Sequence, residues 1–231
     1  MNQPPQNWQQ QPYGGPPPPG WQPYPPQPPR KSNTPKVVGI IAGVLVLGIA
    51  AAVGVLYLFT HADSGTSKRS DVLPGVCGNI SETALARART TNPNGAASRE
   101  SKLSTGTRVF CSWNQTKGED GSGQRSTNVT VALGQEDAET GYDRSVTRKG
   151  ENPQGRSLQK QLSGLGDEAV AVLAETESAY TRMSVVVRKG AAVVEVDLTG
   201  WDAGLFGATE PDAEELEEAA KGMAAEMVAK L

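Results

Sequence analysis

The run from Val37 to Phe59 holds 23 residues without a charged side chain, and it restricts the fold of this chain more than any other feature. At about 1.5 Å of rise per residue, a helix of that length covers the roughly 30 Å hydrocarbon layer of a bilayer. Core helices of soluble domains keep a polar face, whereas this run is apolar on every side, so the sequence predicts a transmembrane helix over 37–59. Arg30, Lys31 and Lys36 precede it directly, and Asp63, Lys68 and Arg69 are the first charges after it. The positive-inside rule then predicts a cytosolic N-terminus and an exported C-terminal part. The chain divides into a tail over 1–36, the span, a linker over 60–70 and a domain over 71–231. A cleaved signal peptide fits less well than an uncleaved anchor, because its apolar core spans only about 7–15 residues. Lipid attachment at Cys77 is disfavoured, since Val76 fills the position before it and the cysteine lies well beyond the apolar run.

Thirteen of the 17 prolines lie before Val37, together with Trp8, Tyr13, Trp21 and Tyr24 and without one acidic residue. Proline removes backbone donors and nothing apolar clusters there, so the tail is expected to be disordered, with extended polyproline character. Such a segment either docks on an aromatic-lined groove of a cytosolic partner or acts as a spacer.

The formal charge is +3 before the apolar run and −6 after it. Beyond the run only Cys77 and Cys111 carry sulfhydryl chemistry, and an exported pair predicts a disulfide rather than a metal site. Thr107 to Asn114 alternates Val109, Cys111 and Trp113 against Arg108 and Ser112, the period of a half-buried strand. Ser126 to Leu133 repeats the pattern, and the two read as a hairpin with a long loop. A second hairpin is expected from Tyr180 to Arg188 and Ala191 to Leu198 around Lys189-Gly190, with Arg188 opposite Ala191 and Arg182 opposite Asp197. A short strand is expected over Glu168 to Leu173. Helices are expected from Ser81 as N-cap through Arg89, near Gln135 to Lys149, and over Pro211 to Leu231. In the last, Leu216, Ala220, Met223, Met227 and Leu231 form one stripe. The fold class is α+β, a mostly antiparallel sheet covered by helices.

A first Cys before a helix, Cys111-Ser-Trp113 in a strand, Gly164-Leu-Gly-Asp-Glu-Ala169 before another strand, a valine-rich hairpin and a closing Ala-rich helix form a set. In these motifs the stretch Asp71 to Leu231 resembles the actinobacterial cell-envelope lipoproteins with a Cys and Cys-x-Trp domain. More distantly it is similar to the extracellular sensor domains of some mycobacterial serine/threonine kinases. The resemblance implies an extracytoplasmic α+β binding or sensor module without established enzymatic activity. The chain differs in carrying a helix and a proline-rich tail in place of a lipid-anchored cysteine.

The sole histidine, His61, sits beside the span, which excludes a Ser-His-Asp or Cys-His site in the domain. The carboxylate pairs Glu119-Asp120 and Asp167-Glu168 and the run Glu210 to Glu218 read as solvated surface. No metal or cofactor is expected. The loop Thr199 to Ala208 places Trp201, Leu205 and Phe206 among glycines, where they either plug the sheet edge or contact a ligand or partner. Arg144, Arg148, Lys149, Arg156 and Lys160 form a mild basic cluster, but a nucleic-acid role is not expected of a net-acidic exported domain. These features predict a non-enzymatic, membrane-anchored binding or sensing module of the bacterial envelope, taking an envelope protein or a small apolar ligand. The alternative is a structural or accessory subunit of another membrane or envelope protein.

Overall fold

The computed structural model describes residues 34–62, 64–134, 137–205 and 207–231. The tail expected to be disordered, 1–36, lies outside the described residues up to position 33. Helix α1 (Thr34–Thr60) contains the expected span, and its stretch Val38–Phe59 is long and apolar enough to cross a membrane by length and composition. Large aliphatic side chains such as Ile40, Leu47 and Leu58 are exposed along it, which suits lipid better than water.

Among the described residues the domain has nine strands: β1 (Asn92–Pro93), β2 (Arg99–Leu103), β3 (Gly106–Asn114), β4 (Gln124–Leu133), β5 (Gly155–Gln161), β6 (Glu168–Thr176), β7 (Thr181–Lys189), β8 (Ala192–Ala203) and β9 (Ala208–Thr209). They form one sheet in the order β1-β3-β4-β8-β7-β6-β5, with β2 also on the outer edge of β3 and β9 on the end of β8. Every pairing between these strands is antiparallel. Three helices accompany the sheet: α2 (Glu82–Arg87), α3 (Ala138–Gly150) and α4 (Ala213–Ala229).

The apolar face of β3 is buried as expected, and Ser112 on its opposite face is buried as well. Val109, Cys111 and Trp113 are buried and share one core with Val129 and Val131 of β4 and with Leu216, Met223 and Met227 of α4. The Cys77–Cys111 disulfide is formed and buried in that core, joining a 3-10 turn (Gly75–Asn79) to β3. Strands β7 and β8 are richer in valine than a half-exposed sheet needs, because helices lie on both of their faces, α4 on one and α3 on the other. The second face holds its own core, with Val170, Val172, Val186 and Val193 under Ala138 and Tyr142 of α3.

Helices α2, α3 and α4 each start on a side-chain cap, where an oxygen accepts one of the backbone N–H groups that a helix leaves unpaired. Ser81 accepts from Ala84, Asp137 from Thr140 and Asp212 from Glu215. The expected helix over 81–89 stops two residues earlier, at Arg87, and Arg89 takes a left-handed backbone (φ 59°). The expected stripe of α4 is buried except Leu231, which lies past the end of the helix and is exposed.

The β7–β8 hairpin corrects one expectation. The turn is Gly190-Ala191, with Lys189 opposite Ala192, so each partner is shifted by two residues from the register with Arg188 opposite Ala191. A shift of two preserves which side chains share a face and changes which ones meet. The anticipated Arg182–Asp197 pair is therefore not made; Asp197 lies opposite Ser184 and Arg182 opposite Thr199. Part of the expected linker lies on the domain. Thr66 bridges Thr116, and the buried Asn92 amide donates to the carbonyl oxygens of Thr66 and Ser67.

Candidate functional site

Helix α4 lies over β7 and β8 and does not reach the edge of the sheet. The register sets Leu158 of β5, Leu173 of β6 and Met183 of β7 side by side on the α4 face. Met183 is buried beneath the helix, while Leu158 remains 46% exposed. A groove of about 580 Å³ opens between this apolar row and Glu214, Glu217, Glu218 and Lys221 of α4. That volume lies within the range of small-molecule sites, and the combination of apolar floor and charged rim is common to them. Lys160 crosses the groove from β5 to Glu217 at 2.7 Å, with its side chain 67% exposed. An exposed pair of that kind is weakened by the surrounding water and by salt, so the strap opens at little cost. Among the described residues, the outer edge of β5 has no strand partner.

On the α3 face a charged belt replaces part of the apolar core. Glu195 is 7% exposed and accepts from Ser145 Oγ at 2.8 Å and from Arg148 at 2.8 and 3.0 Å, with Lys149 Nζ at 3.3 Å. Burial alone would raise its pKa, but Lys149, the Ser145 hydroxyl and Arg148 outweigh burial and hold the carboxyl below its ordinary value. Asp197 is bound by Lys149 at 2.5 Å and by Ser184 at 2.6 Å. At the far end of β4, Asp202 bridges Arg89 and Arg125, each at 2.7 Å. Arg125 is buried, and loss of water pushes its pKa down against the pull of Asp202.

The sequence-predicted positions are dispersed. Trp201 lies on β8, half-buried, and its indole nitrogen donates to Gln124 Oε1 at 3.2 Å. Leu205 is 64% exposed, and neither residue lines the groove. Phe206 lies outside the described residues. The basic cluster is divided as well: Arg148 and Lys149 serve the belt, Arg156 pairs with Glu175 and Lys160 with Glu217. Asp120 corrects the expectation of a solvated carboxylate. It is 7% exposed and accepts from Thr116 N, Thr91 N and Thr91 Oγ1, holding the 115–120 loop against the chain after α2. Among the described residues, no three His, Cys, Asp or Glu side chains converge to hold a metal ion.

The groove residues escaped the sequence reading because β5 is polar at almost every position and carries no alternation to mark it as a strand. These features define a disulfide-closed α+β domain that follows a helix able to span a membrane. Comparison with protein-family models, curated proteins and solved structures found no match for the chain.

Proposed function

We propose that this chain is a membrane-anchored binding or sensing module of the bacterial cell envelope, with its N-terminus in the cytosol and its domain outside, and that it works without catalysis. The observation that carries this reading is the groove between α4 and the edge of the sheet, with its floor of Leu158, Leu173 and Met183. An apolar ligand of modest size covers that row and releases the water held there. The basic residues before α1 and the disulfide in the domain support the orientation, because disulfides persist in oxidising compartments. In this reading the proline-rich tail is the part available to cytosolic partners.

A structural or accessory subunit is the second reading, and the unpaired edge of β5 favours it. An extended segment of an envelope protein that pairs with β5 continues the sheet and sends alternate side chains toward the groove. Native mass spectrometry of the full chain, released from detergent micelles after purification from its own envelope, tests both. A defined small adduct that disappears with Leu158→Glu supports ligand binding. A clean apo mass, with capture of an envelope protein by a photo-crosslinker at Gln161, moves the assignment to the accessory role. If neither occurs, the groove is not the functional site.

A further inference from the structure

Helix α3 covers the sheet on the side of β6 to β8, and on the same face β2, β3 and β4 form a shelf that no helix covers among the described residues, with α3 as its wall. A pocket of about 180 Å³ lies in that corner, lined by Arg99, Arg108 and Arg148 together with Phe110, Thr130 and Glu195. The register builds it: Arg99, Phe110, Thr130 and Glu195 are direct neighbours on four consecutive strands. Arg108 lies two residues before Phe110 on β3, and Arg148 comes down from α3.

Three guanidinium groups face one carboxylate there, and that carboxylate is already taken by Ser145, Arg148 and Lys149. The nearby Asp197 is likewise held by Lys149 and Ser184. Arg99 rests on the Phe110 ring at 5.3 Å, which holds the guanidinium over the pocket by cation–π attraction instead of by a counter-charge. Neither Arg99 nor Arg108 has an ion-pair partner among the described residues. The pocket thus keeps two positive charges within a part of the chain whose formal charge is −6. Lone basic residues on edge strands discourage aggregation, but Arg99 and Arg108, brought to one concavity without a counter-charge, repel each other unless an anion joins them.

We propose that this pocket binds a compact oxyanion, the carboxylate or phosphate group of a ligand. Guanidinium forks match the planar, two-oxygen geometry of such groups, and the Thr130 hydroxyl adds a donor from the floor. The volume falls below the roughly 300 Å³ at which drug-sized sites begin, so it accepts one anionic group and leaves the remainder of the ligand on the shelf. Because Glu195 and Phe110 already position two of the three arginines, binding orders few further side chains.

The test uses the full chain, oxidised and reconstituted in phosphatidylcholine nanodiscs, with arginine Nε–Hε NMR signals as the readout at constant ionic strength. Inorganic phosphate and succinate are the probes. Saturable shifts confined to Arg99, Arg108 and Arg148 are expected, weakened on the order of tenfold by Arg108→Gln or Arg99→Gln and unchanged by Lys117→Gln. Equal melting curves in chloride show that these exposed substitutions leave the fold intact. The same shifts in nanodiscs of equimolar phosphatidylglycerol and phosphatidylcholine, without added anion, assign the oxyanion to a lipid headgroup; their appearance only with phosphate or succinate assigns it to a soluble ligand. Absence of saturation with every probe, or equal shifts at all arginines, overturns the proposal.

Discussion

Reducing the Cys77–Cys111 bridge removes a tether without removing an atom from the core, which makes it a clean test of how this domain is stabilised. The bridge joins positions 34 residues apart, a stretch that holds α2, β1 and β2. In the chain-entropy account, closing a loop of that size lowers the entropy of the unfolded chain enough to stabilise the fold by about 4 kcal/mol at 25 °C. Against a total stability of about 5–15 kcal/mol, that is a large share. With a urea dependence near 2 kcal/mol per molar, reduction should lower the unfolding midpoint by about 2 M. The assay is urea unfolding of the full chain in micelles, with and without a phosphine reductant, followed by far-UV circular dichroism. A Cys77→Ala/Cys111→Ala variant provides the comparison: both sulfurs lie in the core, so the double variant should fall below the reduced parent by the lost packing. An unchanged midpoint on reduction would refute the reasoning, because the loop would then be ordered by its other contacts even in the unfolded ensemble.

Two further outcomes follow from buried features. Glu195 has a folded-state pKa below its ordinary value, so the stability it contributes is present above about pH 4.3 and is lost as pH falls through the lowered folded value. Glu195→Gln should cost about 2 kcal/mol at pH 7, and its unfolding midpoint should converge with that of the parent in strong acid. Gly200 has φ 151°, and a Cβ there would lie 1.8 Å from the Gln124 carbonyl oxygen across the β4–β8 pair. Gly200→Ala should therefore cost at least about 3 kcal/mol, with amide exchange near Gln124 and Arg125 rising first; a melting curve equal to the parent's would refute it.

What the sequence revealed depended on whether a segment carried its own periodicity. The Val109-Cys111-Trp113 alternation and the α4 stripe were legible because each gathers its apolar residues on one face. The β7–β8 register was not, since Lys189-Gly190 and Gly190-Ala191 both make two-residue turns that keep the same side chains on the same faces. What decides between them is the positive φ at Gly190, which places glycine first in the turn. The strands β2 and β5 carried no strand signal because both are polar along most of their length. The candidate sites escaped for a related reason. Leu158 and Met183 meet only through β6, and Arg99 and Glu195 only through β3 and β4, an adjacency that comes from strand order and leaves no mark on the local pattern.

The central place of β8 has a consequence for how the molecule is made. Among the described residues it alone joins the β1–β4 half of the sheet to the β5–β7 half, and it is encoded roughly 60 residues after β4 ends. A ribosome adding about 5–20 residues per second leaves the bonding edge of β4 open for about 3–12 s. During that interval both cysteines have already been synthesised, so the bridge has the opportunity to form before the strand that completes the sheet exists. The nascent chain is thus most vulnerable to mispairing with its neighbours in that interval, when the β3–β4 hairpin has a free side and α4 has not yet been translated.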